Sequence, residues 1–162
     1  MTTLGIDLGT GSVKAAVVSA KGAILSHASK TYSVESPSPG WAESDPAEWL
    51  HAAEEVAQEA IRLSPQAPVA VGFSGQMHGV VIADTSFTPL RPAILWADTR
   101  SAAQAQRMND ELGSSEMAKL GSAAVAGFAA TTLAWLMQHE PEVMARAHHV
   151  LQPKDWLRVA LG

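Results

Sequence analysis

The sequence predicts an α/β chain, a mixed sheet with flanking helices, and three observations carry that prediction. First, Leu4, Ile6 and Leu8 alternate with Gly5, Asp7 and Gly9 at the period of a strand, and residues 13–18 (VKAAVV) resume an apolar, partly β-branched run. The glycines between these runs therefore sit in a hairpin. Second, a helix start is written out at Asp45, with Pro46 behind it and Glu48 three residues after the cap. Third, another short apolar run, residues 69–73, follows that helix, so strands resume after it. With 162 residues, 47% of them hydrophobic, the chain is long enough for one domain with a real core.

Taken in order, Lys21-Gly22 is a turn and residues 23–34 read as a third strand, so three strands in meander order form one sheet. Residues 36–39 break the pattern. The helix from Asp45 to about Leu63 recurs in Trp49, Ala53, Val56, Ala57, Ala60 and Ile61, an apolar face that packs on the sheet, and Ser64-Pro65 ends it. Residues 69–73 then run into Ser74-Gly75-Gln76-Met77-His78-Gly79, and residues 80–83 read as the partner strand of a hairpin. After a loop at 84–92, residues 93–96 form a strand, and residues 101–112 a helix closed by Gly113. The remainder reads as helical at 114–120, 132–139 and 141–147, with a strand at Val150-Leu151. A last helix follows from Pro153, with Trp156, Leu157 and Ala160 near one face.

Composition excludes several classes. The formal charge is −5 and the basic residues are scattered, which argues against nucleic acid or an anionic membrane as partner. There is no cysteine, hence no disulfide, thiolate nucleophile or Cys-ligated zinc, and the chain suits a reducing cytoplasm. No export signal is visible after Met1, and the most apolar tract, residues 123–137, falls short of a membrane span. His27, His51, His139, His148 and His149 lack metal-ligand spacing, so no zinc site is expected.

The chemistry concentrates in residues 4–14, LGIDLGTGSVK. Gly9 and Gly11 let the backbone take positive φ and approach a ligand closely, with main-chain N–H groups available to an anion. Thr10 and Ser12 add hydroxyls, and Lys14 adds positive charge. Asp7 faces the same mouth, where a carboxylate beside polyphosphate calls for a cation such as Mg²⁺ between them. A dinucleotide fingerprint is excluded because position 14 is lysine and no helix opens there, and a Walker loop is absent. An ordinary tight hairpin is the competing reading. A second polar group, Gln76, Met77 and His78, is bracketed by Gly75 and Gly79 so that its side chains project into a cleft; a hairpin with a core Met and a capping His is the alternative. Read alone, Trp96 is a core residue, and Asp98 with Arg100 a structural ion pair, more often than either is a site.

With these motifs in order, the chain resembles the FGGY carbohydrate kinases. The resemblance rests on residues 5–14 (GIDLGTGSVK), 40–49 (GWAESDPAEW), 74–79 (SGQMHG), 91–100 (RPAILWADTR) and 152–158 (QPKDWLR), and so covers nearly the whole chain. It implies an actin-like, ribonuclease-H-like ATPase fold, present here incompletely, in which two such domains close over MgATP and a sugar. It implies that Asp7 acts near Mg²⁺ and the transferring phosphoryl group, that Thr10, Gly11, Ser12 and Lys14 contact nucleotide phosphates, and that Gln76, Met77 and His78 touch the sugar. Trp96, Asp98 and Arg100 lie in a stretch that borders the sugar pocket in that family. The Gln-Met-His-Gly run is similar to that of members acting on D-xylulose or a related ketose rather than glycerol. Family members are several times longer, and their general base and adenine-binding domain belong to stretches beyond residue 162. The expectation is therefore a partner in the remainder of a kinase chain, no useful turnover by these residues alone, and self-association, as a homodimer or larger, through exposed apolar surface. A non-catalytic sugar-binding module of the same superfamily is the competing class.

Overall fold

The computed structural model describes residues 1–162, apart from the side chains of Ser114 and Leu120. In chain order the elements begin with strands β1 (Thr2–Leu8), β2 (Ser12–Ser19), β3 (Ile24–Thr31) and β4 (Glu43–Ser44), then helix α1 (Pro46–Leu63). Strands β5 (Ala70–Gly75), β6 (Val81–Ala83) and β7 (Ala93–Ile94) follow. Helices α2 (Ala102–Glu111), α3 (Ser114–Leu120), α4 (Ala129–His139) and α5 (Pro141–Met144) come next, then strand β8 (His149–Leu151) and helix α6 (Pro153–Ala160). The chain divides into two compact units: Met1–Val34, Asp45–Gln76 and Pro153–Gly162 form the first, Glu35–Ser44 and Met77–Gln152 the second.

The first unit is the expected mixed sheet, in strand order β3-β2-β1-β5. β1 pairs antiparallel with β2 and parallel with β5, the strand that returns after α1, and β2 pairs antiparallel with β3 across a bulge at Val17/Val18. Because alternate residues of a strand share a face, Leu4, Ile6 and Leu8 of β1 and Val13, Ala15 and Val17 of β2 are all buried. α1 and α6 pack on the sheet and on each other. α1 starts as its signals require: Asp45 is extended, its carboxylate accepts the Ala47 N–H at 2.9 Å, and Pro46 occupies the first turn. Its buried face is Pro46, Trp49, Ala52, Ala53, Val56 and Ala60. Burying side chains such as Trp49 or Val56 stabilises by about 1.5–3 kcal/mol each. Ile61, expected on this face, is exposed, while its neighbour Ala60 is fully buried and its carbonyl accepts the Ser26 hydroxyl of β3.

The second unit has two small ladders, β4 with β7 and β6 with β8, around a core of Val80, Ile82, Ile94, Trp135, Leu136 and Val143. Here the expected hairpin fails. β6 pairs antiparallel with β8, not with β5, since β5 takes β1 as its neighbour and all three residues of β6 are buried. The strand expected at 93–96 ends at Ile94, and Trp96 emerges half exposed. Gly113 does not close α2 with a left-handed residue: Leu112 leaves the helix extended, and Gly113, at φ −65°, caps the start of α3. The helix expected at 132–139 starts three residues earlier, at Ala129.

Candidate active site

In the first unit the strand register decides what the β1–β2 turn offers. Asp7 lies opposite Lys14 on β2 and beside Ser74 on β5. Partners in register point to one face, so carboxylate, ammonium and hydroxyl share the face opposite Leu4, Ile6 and Leu8. Neither Asp7 nor Lys14 forms an ion pair among the described residues, although they are cross-strand neighbours. Both line a groove of about 660 Å³ on this side of the sheet, with Gly5, Ala16, His27 and Gly72 along its length.

The turn itself reverses the chain without the positive φ expected at Gly9 and Gly11; both keep negative φ. What position 9 requires is room. The Gly9 N–H donates to Ser12 O at 2.9 Å, and a Cβ at Gly9 would lie 3.0 Å from that oxygen. Gly11 faces open space, with nothing within 4 Å of a built Cβ. A residue that sequence reasoning passed over completes the turn. Tyr32, just after β3, donates its hydroxyl to Gly9 O and Ser12 O, and its N–H to Gly11 O at 3.2 Å. Burial first, and the Asp7 carboxylate second, push the phenol well above its ordinary range, so it stays protonated. The sequence offered one hint, that Tyr32 is the chain's single tyrosine.

Gln76 packs against the same turn. Its N–H donates to Leu8 O at 2.7 Å and its Nε2 to Gly9 O at 3.3 Å, while its buried Oε1 has no partner among the described residues. Gly75 makes the approach feasible: a Cβ there would stand 2.7 Å from Leu8 O and 3.2 Å from Lys154 Cβ.

In the second unit Met77 is 60% exposed. The bend expected from flanking glycines is made by His78 itself, which adopts φ 68°, a conformation that side chains rarely take. Its ring stacks on Phe128 with centroids 3.9 Å apart. Trp96 is 49% exposed. Asp98 and Arg100 turn inward. Asp98 Oδ1 accepts from Arg100 N and Nε at 2.8 and 2.9 Å, and Oδ2 from Ala42 N and Arg100 Nη2 at 2.7 and 2.8 Å. Arg100 also meets Glu43 at 2.7 Å and lies 3.6 Å over the Trp41 ring. Arg91 adds contacts to Glu43 at 2.5 Å and to Glu140 at 3.0 Å. All the acceptor positions of Asp98 are thereby filled within the fold.

The donor set fits a nucleotide-borne cation better than a protein-caged metal. Among the described residues no three His, Cys, Asp or Glu side chains cluster as metal ligands, whereas Mg²⁺ in phosphoryl-transfer sites takes one or two carboxylates with the substrate phosphates supplying the rest. Asp7, exposed and outside any ion pair among the described residues, has the chemistry that such a cation would need.

The class follows from the family match: residues 2–162 match the N-terminal domain of the FGGY family of carbohydrate kinases, and the chain belongs to that family. Its fold is accordingly the actin-like ATPase fold. Among its relatives, the xylulose kinase of Staphylococcus epidermidis strain RP62A is 38% identical over 162 residues, a match spanning 98% of this chain and 32% of that protein. The crystal structure of xylulose kinase from Rhodospirillum rubrum superposes with a TM-score of 0.93 at 28% identity, covering 98% of this chain and 33% of that one. Plasmodium falciparum glycerol kinase, at 24% identity and a TM-score of 0.87, shares the fold, over 96% of this chain and 33% of its own. The chain thus spans about a third of the length of these relatives. Among the described residues no helix is long and apolar enough to cross a membrane.

Proposed function

We propose that this chain is the N-terminal part of an ATP-dependent sugar kinase that phosphorylates D-xylulose to D-xylulose 5-phosphate. The observation that carries the reading is the pair Asp7 and Lys14: opposite charges in register at the mouth of a glycine turn, left unjoined by any ion pair in the fold. A cation and a phosphate chain would satisfy both. The xylulose kinase relatives favour D-xylulose over glycerol as the acceptor.

In this reading Thr10, Gly11 and Ser12 donate to nucleotide phosphates and Lys14 neutralises their charge. Asp7 orients the nucleotide's Mg²⁺, which when bound disperses charge on the transferring group. Gln76, through its unpartnered Oε1, accepts from a ligand hydroxyl, and Met77, His78 and Trp96 shape the ketose site. Asp98 and Arg100 serve the sugar side as its frame, holding the strand end from which Trp96 projects. The general base and the adenine-binding wall belong to the remainder of the kinase chain, so residues 1–162 form an incomplete N-terminal domain with little turnover alone. A reducing cytoplasm is the setting these substrates imply.

The test is ADP formation dependent on D-xylulose, measured on this chain and on the full-length product of the gene, with ribulose and glycerol for comparison. Turnover by the long form alone, fastest with D-xylulose, is expected. Faster turnover of ribulose or glycerol would reassign the substrate. Turnover by residues 1–162 would put the base within this chain, and sugar binding without turnover in the long form would favour a non-catalytic sugar-binding module.

A further inference from the structure

We propose that Tyr32 is a positioning residue for the nucleotide: it gathers the carbonyl oxygens of the β1–β2 turn to itself, so that polyphosphate meets the turn without opposing carbonyl dipoles. This rests on the reading of residues 9–12 as the phosphate turn. A turn that binds an anion must direct N–H groups toward it and keep its carbonyls, the negative ends of the same peptide dipoles, away. The carbonyls of Gly9, Gly11 and Ser12 are taken up inside the fold, and Tyr32 touches each. Gly9 O accepts the phenol O–H, with Gln76 Nε2 as a second donor at 3.3 Å. Gly11 O accepts the Tyr32 N–H at 3.2 Å. Ser12 O accepts the Gly9 N–H at 2.9 Å and lies 3.2 Å from the phenol oxygen. One phenol proton serves both Gly9 O and Ser12 O, so the hydroxyl spans the turn's two ends.

The phenol is held firmly enough for this task. Its ring lies 6.5 Å from that of Trp49, which is fully buried and packs edge-on against Trp156 at 6.4 Å. Its raised pKa keeps the proton on the oxygen throughout the neutral and mildly alkaline range. Tyr32 touches no ligand in this scheme; it acts through the turn.

The experiment uses Tyr32→Phe, which keeps the ring and removes the hydroxyl. MgATP and D-xylulose affinities are measured separately by calorimetry in the full-length product, parent against variant. Loss of one hydrogen bond to a backbone carbonyl is expected to raise the MgATP Kd about fivefold and to leave the D-xylulose Kd unchanged. A MgATP Kd within twofold of the parent would overturn the assignment, as would equal weakening of both ligands, which is the mark of a general structural defect. A parent that binds no MgATP would instead overturn the phosphate reading itself, so the two failures are told apart. A second measurement needs no ligand. In residues 1–162, amide exchange at Gly9, whose N–H closes the turn, should accelerate several-fold in the variant while that of Ile6 in the β1 ladder does not; unchanged exchange at Gly9 would refute the role.

Discussion

Replacing Arg100 with Met tests whether Asp98 and Arg100 frame the second unit. The guanidinium is 1% exposed, as is the Asp98 side chain, and Glu43 is 9% exposed. Replacing Arg100 by Met takes two of the four donors from Asp98, leaving Ala42 N at 2.7 Å and the backbone N–H of residue 100 at 2.8 Å, and leaves Glu43 with Arg91. The two bonds lost are the side-chain ones, from Nε and Nη2. The substitution also empties the slot over Trp41. Breaking a buried pair by deleting one partner costs about 3–5 kcal/mol, because the stranded charge keeps its desolvation penalty. Against a total stability of roughly 5–15 kcal/mol, that is a large fraction. Urea unfolding, followed by the fluorescence of the tryptophans that flank Arg100, should therefore show a markedly lower midpoint. Adding Asp98→Asn should recover part of the loss, since the stranded charge is then gone. Arg100→Lys should fall between, as a point charge cannot reproduce the two-pronged contact. An Arg100→Met unfolding free energy within about 1 kcal/mol of the parent, or a double variant no better than the single, would refute the reasoning.

Three further outcomes are expected. Gly75→Ala should destabilise by about 1–3 kcal/mol, since the new methyl meets Leu8 O at 2.7 Å; an unchanged midpoint in thermal unfolding would show that the strand gives way freely. Asp7→Asn in the full-length product should lower kcat about a hundredfold while the KM for D-xylulose holds, and a kinase assay with an intact rate would remove Asp7 from the phosphoryl site. The Glu55 carboxyl lies below its usual range, chiefly through its hydrogen bond from Lys30. A depressed folded-state pKa contributes stability above the unfolded pKa and loses it as pH falls through the folded one. Glu55→Gln should accordingly flatten the decline of Tm with acid, and identical profiles for the two proteins would sink this.

Much of the first unit was legible because its signals are local. The period of two in Leu4, Ile6 and Leu8, the turn at Gly9 and Gly11, and the Asp45-Pro46 cap each act over a few residues, and each produced the element expected. The errors fell where distant segments compete. β6 follows β5 closely enough to suggest a hairpin, but its partner lies at His149–Leu151. Ile61 continues the apolar pattern of α1 in sequence, but the buried face of the last turn is taken by Ala60.

The sequence by itself determined the mixed α/β class, the family, and the residue types gathered around the glycine turn, because strand period, capping chemistry and motif order are properties of neighbours along the chain. Only the tertiary structure decided which charges are used inward and which are left for a ligand. Asp98 and Arg100 look as available in sequence as Asp7 and Lys14, yet Trp41, Ala42 and Glu43 enclose the first pair, while the second stands unjoined. Tyr32 likewise became part of the site only when the pairing of β2 with β3 brought its phenol to carbonyls 20 and 23 residues away. Burial and cross-strand register are set by segments that meet in space, and no local pattern encodes them.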